Sequence, residues 1–121
     1  MAKSKKPSIV LRWKRQPSES GLRRVIQGPR GWDLYMGTER LASVRVLYKG
    51  LSRVRDGWYY CTPSRPGLEH RNTCDERGIP AADVRAACAA YVVASLSAAY
   101  PEATYKVHAR VPGVSRAQEG R

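Results

Sequence analysis

The spacing of apolar residues changes once along this 121-residue chain, at Pro80, and that change limits the folds open to it. Before Pro80 the period is two. In residues 32–36, Trp32, Leu34 and Met36 alternate with Asp33 and Tyr35; in residues 41–48, Ala42, Val44, Val46 and Tyr48 share one face, and Ser43, Arg45 and Leu47 the other. Such alternation belongs to an antiparallel sheet with one buried and one wet face. After Pro80, Val84, Ala87, Cys88, Tyr91, Val92, Ser95, Leu96 and Ala99 fall at steps of three and four, the stripe of an amphipathic helix. Pro80 suits its start, Asp83 suits the positive end of its dipole, and Pro101 closes it. Nine alanines between positions 81 and 99 favour the helix and keep it thin enough to lie close on a sheet.

The other segments fill in around this frame. Residues 9–13 are a short apolar run, a strand or a staple at the domain edge, and residues 22–27 carry the β-branched pair Val25 and Ile26 of another strand. Residues 58–62 return as a strand after the Asp56-Gly57 turn signal, and residues 63–79 form a long polar loop. Tyr105, Val107, Ala109 and Val111 alternate with Lys106, His108 and Arg110 as a last strand or an extended tail. The expected fold is therefore α+β: a three- to four-stranded antiparallel sheet packed on one C-terminal α-helix. Residues 1–8 read as a disordered basic arm, 9–111 as one domain and 112–121 as a disordered tail.

Charge narrows the partner. The formal net charge is +12, with 22 Lys and Arg against 10 Asp and Glu, and sixteen of the 22 are Arg. Lys3, Lys5 and Lys6 place +3 on the first eight residues, residues 101–121 carry +2, and the body between them holds +7. Basic tails alone attract any polyanion, whereas a basic folded body points to a nucleic-acid surface. Arg also pairs bidentately with phosphate or carboxylate. No apolar run approaches the ~18 residues of a membrane span, so no membrane partner is expected.

Candidates for chemistry are few. Cys61, Cys74 and Cys88 are odd in number and widely spaced, which argues for reduced thiols rather than a secreted disulfide framework. Residues 1–7 lack the apolar core of an export signal, so a cytoplasmic location is expected. Cys61, His70, Cys74 and Cys88 lack the short Cys-x2-Cys or His-x3-His clip of zinc sites, so no metal is assigned. No phosphate-binding glycine loop is present and no cofactor is expected. A small ribonuclease could use His70, Arg71 and Tyr59, but their spacing gives no reason to prefer that role. The expectation is a non-enzymatic binding protein.

Two resemblances bear on this. The stretch from Gly31-Trp32 to Tyr91, with Leu41-Ala42-Ser43-Val44-Arg45 and Gly57-Trp58-Tyr59, resembles the DNA-binding domains of plant ethylene-response factors and the arm-binding domains of phage tyrosine integrases. That resemblance implies a sheet that presents Arg and aromatic side chains to the major groove, although the loops at 49–57 and 63–79 are longer here. The frame Trp13-Lys14-Arg15-Gln16-Pro17, Gly57-Trp58-Tyr59-Tyr60, Asn72-Thr73 and the Ala-rich helix through Tyr91-Val92 resembles small basic proteins of phages that infect actinobacteria. It covers residues 12–96 and implies residence in the host cytoplasm.

The expected contacts follow. Arg30, Arg40, Arg45, Arg53 and Arg55 meet phosphates, with Arg45 best placed on a sheet face for base edges. Tyr35 and Tyr59 stack on bases of a single strand, and Lys3, Lys5 and Lys6 add non-specific affinity. DNA is expected ahead of RNA. The alternative is a module that docks on an acidic host protein through the same Arg, Trp and Tyr surface.

Overall fold

The computed structural model describes residues 6–17, 30–52 and 54–114. They form a mixed, six-stranded curled sheet with one helix on one face. The strands are β1 (Ser8–Arg15), β2 (Trp32–Met36), β3 (Glu39–Tyr48), β4 (Arg55–Thr62), β5 (Arg71–Asn72) and β6 (Thr104–Val107). The helix, α1, spans Ala81–Ala99. Across the sheet the order is β5-β4-β3-β2-β1-β6, antiparallel except for the parallel β1–β6 pair.

The α+β class and the C-terminal helix agree with expectation; the strand count does not. Six strands replace three or four because β1 is longer than its apolar run and lies inside the sheet. It pairs β2 on one side and β6 on the other. Leu11 and Trp13 point to the core while Arg12 and Lys14 point away, so the strand continues through residues that look polar in sequence. The loop at 63–79 also contributes: β5 pairs β4, and Thr73 N–H donates to Tyr60 O at 3.0 Å. The strand expected at residues 22–27 lies outside the described residues.

Cross-strand register sorts the two faces. Trp13 opposes Leu34, Leu34 opposes Ala42, Trp32 opposes Val44, and Val44 opposes Tyr60. These side chains meet Val84, Cys88, Val92 and Leu96 of α1 in one core. Leu11, Leu34, Val92, Cys88 and Leu96 are fully buried there, and each buried Leu or Val contributes about 1.5–3 kcal/mol.

The buried face of α1 is turned slightly from the expected stripe. Ala87 and Ala99 are exposed, whereas Arg85 is 5% exposed. By length and composition α1 could cross a membrane; here it lies along the sheet with its i, i+4 row of Val84, Cys88, Val92 and Leu96 buried.

Two glycines permit the close approaches that fix the ends of this layer. A Cβ on Gly31 would sit 1.8 Å from the Val44 carbonyl oxygen, so only glycine lets the start of β2 reach β3. Gly57 has φ +95°, and a Cβ there would lie 2.5 Å from the Ile79 nitrogen. This contact lets Trp58 N–H donate to Ile79 O at 2.9 Å, seating the segment that leads into α1 against β4.

Both ends of the packed region are tied to the sheet. Thr104 N–H donates to Pro7 O at 2.8 Å, where β6 begins. Beyond β6, Trp32 Nε1–H donates to Pro112 O and Arg15 Nη1–H donates to Gly113 O, each at 2.8 Å, while Val111 and Val114 pack on the core. Leu96→Ala, which opens a cavity at the centre of this layer, is expected to cost about 2–5 kcal/mol in urea unfolding.

Candidate functional site

The face opposite α1 gathers the sequence-predicted residues that alternation places away from the core. Tyr35 on β2 pairs with Arg40 on β3 on one side and with Arg12 on β1 on the other. Arg45 on β3 opposes Tyr59 on β4. The register assigns Tyr59 to this face and Tyr60 to the core, where its ring lies 6.3 Å from that of Tyr91. Lys14 opposes Asp33, and Lys106 opposes Val10 at the β6 edge. Arg12, Lys14, Arg40, Arg45 and Lys106 are all exposed, and Tyr35 and Tyr59 are half-buried.

The chemistry of this face is that of cations beside flat rings. Lys14 Nζ lies 4.4 Å from the Tyr35 ring centroid, a cation–π contact. The Tyr59 phenol is raised above its ordinary range, first by burial and then by Cys61, with Arg45 opposing. It is therefore a neutral hydrogen-bonding group at neutral pH.

Among the described strand positions of this face Asp33 is the one acidic side chain, and it is buried. It is 6% exposed, and its Oδ1 accepts from Ser43 Oγ at 2.8 Å and from Gln16 Nε2 at 3.0 Å. Gln16 Oε1 in turn accepts from Gly31 N–H at 2.9 Å, so the carboxylate braces the end of the β1–β2 pair. The ion pairs among the described residues, Arg65 with Glu39 and Arg77 with Asp56, involve none of the five cations above.

The other expected site residues are distributed elsewhere. Arg55 opens β4 beside Tyr48, exposed at the end of the hairpin rather than in the row formed by Tyr35, Arg40, Arg45 and Tyr59. Arg30 stands at the start of β2 and acts electrostatically on Arg15, whose guanidinium is on the helix side. Lys6 is exposed just ahead of β1, whereas Lys3, Lys5 and Arg53 lie outside the described residues. Sequence reasoning missed Arg12 and Lys14, whose alternation with Leu11 and Trp13 was the available signal. Lys106 was visible in its alternating segment but was not given a role.

The residues considered for hydrolysis are not brought together. His70 Nδ1 bonds to Thr62 O at 2.8 Å, and the Arg71 guanidinium lies over Tyr91 of the helix, 4.9 Å from its ring centroid. Tyr59 faces the other side of the sheet. Among the described residues no group of three or more His, Cys, Asp or Glu side chains is placed to hold a metal ion.

No protein-family model, curated protein or solved structure significantly matches this chain.

The three thiols differ in environment. Cys88 is buried, which pushes its thiol far above the ordinary range, and Cys61 adds to the effect; Cys61 and Cys74 are half-buried. A thiol reagent at pH 8 should therefore modify Cys61 and Cys74 in the native protein and Cys88 only after unfolding. Three fast-reacting native thiols would contradict this packing. Because the raised value belongs to the folded state, the unfolded thiol ionises first. The Cys88 contribution to stability should thus be complete at neutral pH and decline as pH rises through about 8.5.

Proposed function

We propose that this chain is a non-enzymatic nucleic-acid-binding protein that takes a single strand across the open face of its sheet. The observation that carries this reading is the company Tyr35 and Tyr59 keep. Both lie on a face whose exposed strand cations are Arg12, Lys14, Arg40, Arg45 and Lys106, and whose one strand carboxylate is buried in hydrogen bonds to Ser43 and Gln16. Rings accept bases by stacking irrespective of sequence, and the surrounding guanidinium and ammonium groups follow the phosphates.

Sheet width favours a single strand over a duplex groove. Six strands at about 4.8 Å spacing span roughly 24 Å, about twice the ~12 Å width of a B-DNA major groove. A splayed strand has no such limit, because its bases lie flat on the face. Arg55 and Lys6 extend the positive surface beyond the central rows. DNA remains ahead of RNA, and a phage protein acting in a host cytoplasm suits the composition.

A second reading, docking on an acidic host protein, is favoured by one observation. Leu51 is fully exposed and Val54 is 60% exposed in the β3–β4 loop, close to Lys49 and Arg55. Exposed apolar side chains with cations near them in sequence suit a protein partner.

Fluorescence anisotropy with labelled single strands at about 50 mM salt tests the first reading. Tyr59→Ala should weaken binding about 5- to 150-fold, the loss of one stacked base. Arg45→Gln should lower the slope of log affinity against log salt by about 0.7. Absence of binding to any DNA or RNA under these conditions rejects the reading. Recovery of a stoichiometric protein from nuclease-treated lysate, lost in Leu51→Ser, would establish the second.

A further inference from the structure

Alternation along β3 places Ser43 and Arg45 on the open face; carried backwards, it would put Leu41 there and turn Arg40 to the core. A bulge reverses that. The β2–β3 register shifts between Leu34 and Tyr35, so Leu34 opposes Ala42, Tyr35 opposes Arg40, and Leu41 is the extra residue. Leu41 is fully buried in the core, and Arg40 is exposed beside Tyr35. Bulges re-aim side chains in this way beside working sites.

The open face thus carries the same pair twice. Arg40 opposes Tyr35 of β2, and Arg45 opposes Tyr59 of β4. Between the pairs stands Ser43, opposite Asp33 on one side and Cys61 on the other. Tyr35 lies two residues from Asp33 toward the Arg40 end of β3, and Tyr59 two residues from Cys61 toward the Arg45 end. A half-turn about Ser43 relates the two pairs. Ser43 is 6% exposed and its Oγ donates to Asp33 Oδ1 at 2.8 Å, so the midpoint is a low floor between two rings.

Strand geometry gives the separation of the rings. They stand two strand spacings apart across the sheet, about 10 Å, and four residues apart along it, about 14 Å, which sets the Cα positions roughly 17 Å apart. Neighbouring bases cannot span that distance. A strand stacked at ~3.4 Å per nucleotide covers it in about five steps, and one drawn out to about twice that rise covers it in about three.

We infer that a bound single strand runs diagonally across the sheet, from Tyr35 over Ser43 to Tyr59, and that the two rings take bases three to five nucleotides apart. Arg40 and Arg45 each meet the phosphate beside a stacked base, and the intervening bases pass over Ser43 with no ring to hold them. The ligand is a strand of at least four nucleotides; a dinucleotide reaches one ring only. This path rests on the reading of the open face as a stacking platform, to which it adds a length and a course.

Labelled oligodeoxynucleotides of one fixed length test the path, with thymine kept at two positions and every other nucleotide abasic, so that backbone charge is constant. The two bases are set from one to six steps apart, and affinity is read by anisotropy at about 50 mM salt. Affinity should peak at three to five steps, about 5- to 150-fold above the adjacent pair, the gain from one more stacked base. Tyr35→Ala should flatten that profile, and Tyr35→Phe, which keeps the ring, should preserve it.

A peak outside three to five steps, a flat wild-type profile, or a peak that persists in Tyr35→Ala overturns the diagonal path. The stacking reading survives those results if Tyr59→Ala still weakens binding of the all-thymine strand. Its own failure looks different: the all-thymine strand does not bind, or binds equally well in Tyr59→Ala, and the path falls with it.

Discussion

The Trp32 indole is the joint on which the rest of the structure depends. It stacks at a tilt on Trp58 of β4 with ring centroids 5.4 Å apart, carries Arg15 of β1 and Arg85 of α1 near its ring, and donates to the Pro112 carbonyl. Four segments from distant parts of the sequence therefore meet at one side chain. An aromatic ring suits this position because it combines a large apolar surface, an electron-rich face and one directional N–H donor. A Leu there would keep the burial and lose both the cation contacts and the hydrogen bond.

Its placement follows from the pleat. Trp32 faces α1 because residues alternate along β2, and the same alternation turns Asp33 and Tyr35 to the other side. The strand that seals the core thus also builds the open face. Asp33 makes this division stable. Its carboxylate is spent on Ser43 and Gln16, and the cations of β1 and β3 are left to dominate the open side.

Much of this was legible in the sequence where one periodicity ruled a long segment. The alternation through 32–36 and 41–48, the helix after Pro80 and the outward direction of Tyr35 and Arg45 all follow from period two giving way to steps of three and four. Tyr59 and Tyr60 are adjacent, so sequence left open which faces outward; only pairing with Arg45 and Val44 settles it. β1 was underestimated because Arg12, Lys14 and Arg15 look like a charged loop until Leu11 and Trp13 are seen to alternate with them. Arg85 carried no local signal. Its guanidinium lies over a tryptophan more than fifty positions earlier, and Ala-rich helix periodicity does not encode such a contact. The strand count was low for a related reason, since a two-residue β5 and a parallel β6 depend on partners that no local pattern names.

The parallel β1–β6 pair has a consequence for how the chain reaches this state. The β2–β3 and β3–β4 neighbours close through short turns, whereas β6 joins β1 only after every other described element between them has been laid down. The Arg15–Gly113 bond spans 98 positions. Closing so long a loop is entropically slow, although each doubling of its length adds only about 0.6 kcal/mol. The local hairpins can therefore assemble early, with one flank of β1 bare until the last strand arrives. During synthesis that flank is an unpaired sheet edge, open to other chains until Thr104–Val107 has emerged to cover it.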